Sequence, residues 1–146
     1  MMRLNQKQKF RHDPDNGIYG DCSRTALAML LGLERDSVPH FYDPACKAQE
    51  ADRRRTEFLA SRGLASVSFA LRAAEVKDAL RFMKVYNPGA PYILVGTSRN
   101  NCLHEVVCFE DSIVADPALD DSGITGPDEF GNFWVTVVVD RHSRGG

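Results

Sequence analysis

The spacing of apolar residues changes period near residue 90, and no other feature limits the fold of this chain as strongly. Ala26, Leu27, Leu30 and Leu31 recur at helical spacing, and so do Val76, Ala79, Leu80 and Met83. From Tyr92 onward the spacing is that of strands. Tyr92-Ile93-Leu94-Val95-Gly96 is a continuous apolar run suited to a central strand, and Phe133, Val135, Val137 and Val139 alternate. Asn87-Pro88-Gly89-Ala90-Pro91 separates the two regimes. Helices first and strands afterwards predict an α+β domain, with N-terminal helices packed against a C-terminal antiparallel sheet.

Local signals place the elements. Asp21 is in position to cap a helix that starts at Cys22, and Gly32 can stop it. Pro44 fits the first turn of a second helix running to about Arg62 and ended by Gly63, with Arg53, Arg54 and Arg55 on its solvated face. Ala65, Val67, Phe69 and Leu71 alternate as a strand. His104 to Phe109 and Ser112 to Ala115 form a hairpin, and residues 117–132 form a long loop rich in Pro, Asp and Gly. Trp134 is expected to pack in the last strand. The 146 residues suit a single domain over 1–146, with 1–12 and 141–146 as loose ends. The two glycines that close the chain are read as part of a frayed terminus.

Charge and composition narrow the function. A formal net charge of -2 gives no electrostatic basis for binding nucleic acid or an anionic membrane. No apolar run reaches the length of a membrane span, and the polar, basic N-terminus lacks the core of a signal peptide, so a cytoplasmic location is expected. Cys22, Cys46, Cys102 and Cys108 are then expected as reduced thiols. Cys102-Leu103-His104 offers two zinc-ligand types, but without a paired Cys-x-x-Cys knuckle no metal site is expected.

Three residues suggest chemistry. Cys22 stands at a helix N-terminus, where unpaired N–H groups and the helix dipole favour a thiolate. The Cys22 N–H could also serve an oxyanion. His104 opens a strand as a candidate base, and Asp116 ends the neighbouring strand as its orienting acid. A three-residue hairpin loop, with Ser112 opposite Cys108, would set Asp116 opposite His104 on one face. A two-residue turn at Glu110-Asp111 would put it on the other. The first arrangement is the expected one, with Asp120 and Asp121 as alternative orienters. Asn16 or Tyr19 could complete the oxyanion site. Cys108 is expected in the core and Cys46 and Cys102 to be incidental, and His12, His40 and His142 lack a supporting constellation.

These segments resemble papain-like cysteine hydrolases. The pieces that carry the likeness are Gly-Asp-Cys-Ser-Arg-Thr-Ala-Leu-Ala-Met-Leu-Leu-Gly-Leu from Gly20, Val-Pro-His-Phe from Val38, Pro-Tyr-Ile-Leu-Val-Gly from Pro91, His-Glu-Val-Val-Cys from His104, and Asp116-Pro117. The chain is most similar to small phage and bacterial proteins of this type, related in outline to double-glycine leader peptidases. The likeness spans about residues 14–118. It departs from the family at Ser23, where papain has Trp, and at Asn16, where papain-type enzymes carry Gln. The resemblance implies a papain-like fold and a peptidase or isopeptidase that works through a thioester without metal or organic cofactor. It implies a protein or peptide substrate. An acyltransferase or deamidase would use the same three residues, and a binding module that occupies a host protein would use the fold without catalysis.

Overall fold

A computed structural model describes residues 1–141. The chain forms α1 (Cys22–Leu31), α2 (Ala48–Ser61), β1 (Leu64–Arg72), α3 (Val76–Tyr86), β2 (Pro91–Thr97), β3 (Leu103–Phe109), β4 (Ser112–Ala115) and β5 (Asn132–Asp140). The five strands make one antiparallel sheet in the order β1-β5-β2-β3-β4, so the architecture is α+β. No helix among the described residues is long and apolar enough to cross a membrane.

Strand alternation divides the core into two halves. Ile93, Val107 and Ala115 pack with α1, which buries Ala26, Leu27, Met29 and Leu30, and with Ala51 and Leu59 of α2. Their neighbours Tyr92, Leu94, Val106 and Cys108 point to the other face, where Ala79 and Met83 of α3 cover them. The helices therefore do not gather on one side, because α3 closes the face opposite α1. Cys108 is fully buried, as its alternation with Val106 predicts. Trp134, by contrast, is 44% exposed and donates its indole N–H to Asp128.

Three expectations about the N-terminal half need correction. The lead-in is not loose. The Arg3 N–H donates to Met29 O, the Gln8 N–H to Pro117 O, and Met2 and Leu4 pack on the core. The carboxylate of Asp21 does not cap α1. It turns back to accept the Lys9 and Phe10 N–H groups and to pair with Arg24, so it tethers the lead-in across the helix start. The second helix begins at Ala48 rather than Pro44. Pro44 follows a cis peptide, and its carbonyl accepts a hydrogen bond from Arg54, which clasps the preceding turn to the helix.

The β3–β4 hairpin follows neither expected register throughout. It turns at Glu110-Asp111 with Phe109 opposite Ser112, the two-residue arrangement, and Glu110 takes a left-handed φ of 52°. A bulge between Val107 and Cys108 then inserts one residue, so that Val107 faces Ala115. The inserted residue reverses the facing of everything beyond it, and Asp116 returns to the His104 side of the hairpin. β4 ends there, leaving residues 103–105 of β3 without a strand partner on that edge.

Candidate active site

A cavity of about 700 Å³ opens at this bare edge. Its wall includes Cys22 from the first turn of α1, His104 and Glu105 from β3, and Tyr19, Gln8 and Tyr42 from the flanking segments. His104 is 6% exposed, and its Nε2 lies 2.5 Å from Asp116 Oδ1. Asp116 also accepts the Ala118 N–H at 2.9 Å on Oδ1 and the Gly123 N–H at 2.8 Å on Oδ2. Burial works to raise this carboxyl. The hydrogen bonds from His104, Ala118 and Gly123, with the charge of His104, outweigh it and hold the group below the usual carboxylate range. The stability that this ionised carboxylate adds is therefore present above its unfolded pKa and lost as the pH falls through the lower folded value. With Nε2 engaged, Nδ1 is the ring nitrogen left to exchange a proton.

Cys22 and His104 share the cavity, and no hydrogen bond joins them. Alternation explains the offset. His104 belongs with Val106 and Cys108 on the α3 face, whereas Glu105 belongs with Val107 on the α1 face. The sulfur therefore meets β3 at the level of Glu105, whose backbone N–H faces it across the open edge. Contrary to the helix-terminus expectation, the thiol is not depressed. Burial pushes it well above its ordinary value, and the Glu105 carboxylate adds to that. The Glu105 N–H opposes, while Asp21 and Cys102 raise it further. Two carboxylates thus stand near the end of α1 where its dipole would favour an anion.

The remaining candidates divide clearly. Tyr19 lines the cavity, but Asn16 does not: its amide donates to Asp13 Oδ2 within the turn Pro14–Asn16. The side-chain amides at the cavity wall are those of Gln8, whose Nε2 donates to Phe10 O, and Asn100. Asp121 pairs with Lys7 and Asp120 lies near Arg99, so neither orients His104. Cys102 lies on the cavity wall and Cys46 packs at the edge of the core. His12 lines the cavity, whereas His40 stacks on Phe10 and bonds Tyr19 O. His142 and the terminal glycines lie outside the described residues. Of the three arginines, Arg53 is solvated and paired with Glu50 and Glu57, but Arg55 turns inward, its side chain 16% exposed, against Asp52. Among the described residues, no cluster of three or more His, Cys, Asp or Glu side chains could hold a metal ion.

Glu105 and Gln8 belong to the site without having been expected from the sequence. Glu105 had a signal: it is a charged residue at an alternate position from Val107 in a strand that is otherwise apolar between His104 and Phe109. Gln8 had none, because its place depends on the long-range bond from its N–H to Pro117 O.

Comparison with known proteins adds no relative. No protein-family model, curated protein or solved structure matches the chain.

Proposed function

We propose that this protein is a cysteine hydrolase of papain-like type that cleaves peptide or isopeptide bonds in a protein substrate through a thioester on Cys22. The observation that carries the reading is that His104, paired with Asp116 at 2.5 Å, lines one cavity with a cysteine at a helix N-terminus. Cys22 Sγ adds to the scissile carbonyl carbon while its proton passes to His104 Nδ1. The tetrahedral intermediate collapses, the C–N bond breaks, and the imidazolium gives that proton to the leaving amine. Water then attacks the thioester with His104 as base, releasing the acid and restoring the thiol. Asp116 fixes the ring tautomer and stabilises the imidazolium.

The Cys22 N–H, in a helical turn without intrahelical acceptors, serves the oxyanion together with Tyr19 or Gln8. Leu103 and Leu119, 59% and 53% exposed at the cavity wall, offer apolar contact to substrate side chains. A peptide and amide library incubated with wild type and with Cys22→Ala tests this. Cleavage is expected from the wild type alone. Equal cleavage by both proteins, or none by either, would refute it.

A further inference from the structure

The lead-in and the segment before α1 run antiparallel, side by side. The Phe10 N–H donates to Asp21 Oδ1 at 2.8 Å, the Gly20 N–H donates to His12 Nδ1 at 3.1 Å, and Asp13 bridges Ile18. A Cβ on Gly20 would stand 3.0 Å from His12 Cβ, so the two segments touch. Rings hold them further, with Phe10 stacked on His40 and His12 meeting Tyr19 edge to face. Between Phe10 and His12 lies Arg11. Its backbone is therefore fixed from both sides, against the two residues that precede Cys22.

Arg11 lines the cavity that holds Cys22 and His104, and it is the only lysine or arginine among the lining residues. It is exposed, and no described residue hydrogen-bonds or ion-pairs with its side chain. Other cations on these segments are matched: Lys7 with Asp121, Arg24 with Asp21, and Arg35 with Asp36. The exposed acid on the cavity wall, Asp120, lies 3.6 Å from Arg99 instead. Val95, Leu103, Ala118 and Leu119 make the same wall partly apolar.

We propose that Arg11 is a specificity residue that takes a carboxylate of the substrate, from an acidic side chain or a free C-terminus, while Leu103 and Leu119 take apolar side chains. A guanidinium offers a planar fork that matches a carboxylate with two parallel N–H···O bonds. A fixed backbone lowers the ordering cost of making them. A concave, partly apolar wall strengthens a charge pair beyond its worth on open surface. The inference deepens the hydrolase reading and rests on it for its meaning as substrate selection.

Peptide binding without turnover tests it. Fluorescent peptides of Leu and Ala carry Glu, Gln or Lys at one scanned position, each with a free or an amidated C-terminus. They are titrated into Cys22→Ala and followed by anisotropy. A carboxylate at the matching position should tighten binding about tenfold over its amide counterpart. A preference for Glu over Gln assigns the side chain, and one for free acid over amide assigns the chain end. In the same background Arg11→Gln should abolish the preference, and Arg11→Glu should turn it toward the Lys peptides. Both variants change an exposed, unpartnered side chain, so thermal unfolding should match that of the parent. Equal affinity for acid and amide peptides, no binding of any peptide, or a preference that survives Arg11→Gln would overturn the proposal. Carboxylate-dependent binding without cleavage by the wild type would count against the hydrolase reading alone. Cleavage without that preference would count against this inference alone.

Discussion

His104→Ala is expected to lower kcat/KM on any cleaved substrate by ~10²–10⁴-fold, the range that a positioned general acid–base supplies. The protein should remain folded, because Asp116 keeps the N–H donors of Ala118 and Gly123 after the ring is gone. The loss should appear in kcat more than in KM. In the proposed mechanism the imidazole acts on protons in flight, and the substitution leaves Leu103 and Leu119 at the cavity wall untouched. Steady-state kinetics on the best library substrate, with circular dichroism as the control for folding, measures this. A folded variant with kcat/KM within threefold of wild type would remove His104 from the reaction.

The second large effect concerns stability. Gly96 lies opposite His104 on β2, and a Cβ there would stand 2.5 Å from Ile124 Cγ2, 2.6 Å from Gly126 O and 3.1 Å from Phe133 Cδ1. The Ile124 methyl could rotate away. The carbonyl oxygen cannot, because Gly126 O accepts the Thr97 N–H at 2.9 Å. Gly96→Ala must therefore lift residues 124–126 off the sheet, an overpacking that costs about 1–3 kcal/mol. At this chain length the fall in Tm is roughly 3–12 °C. The displaced segment begins beside Gly123, whose N–H holds Asp116, so the alanine should also lower activity below what the loss of stability explains. Thermal unfolding measures the first effect. A variant as stable as wild type would show that residues 124–126 do not press on Gly96.

The parts of the site that local signals encode were legible in the chain. Cys22 begins α1 because an apolar stripe at helical spacing starts there, and Gly32, in left-handed conformation with φ 75°, ends the helix. His104 opens a strand and Asp116 follows the next one, and the two do meet. They meet through a bulge, however, and a bulge is a compromise between turn geometry and the burial of Val107 and Ala115 that no local residue announces. Turn chemistry at Glu110-Asp111 and core burial favour registers one residue apart, and the extra residue satisfies both. Asn16 departs from its expected role for a related reason. Its amide can serve an oxyanion or a turn, and in Asp13-Pro14-Asp15-Asn16-Gly17 the nearby Asp13 carboxylate takes it. The electrostatics of Cys22 were least legible. A helix N-terminus can be read from a cap, but the opposing Glu105 carboxylate arrives from β3, more than eighty residues away in sequence.

Everything proposed for the cavity depends on Cys22 sulfur forming an acyl bond, and intact-mass analysis after brief exposure to an activated peptide ester tests that bond most directly. The predicted result is one added acyl group, mapped by fragmentation to Cys22, absent in Cys22→Ala and slow to form in His104→Ala. Acylation that falls equally on Cys46 and Cys102, or that proceeds at the same rate without the imidazole, would contradict it.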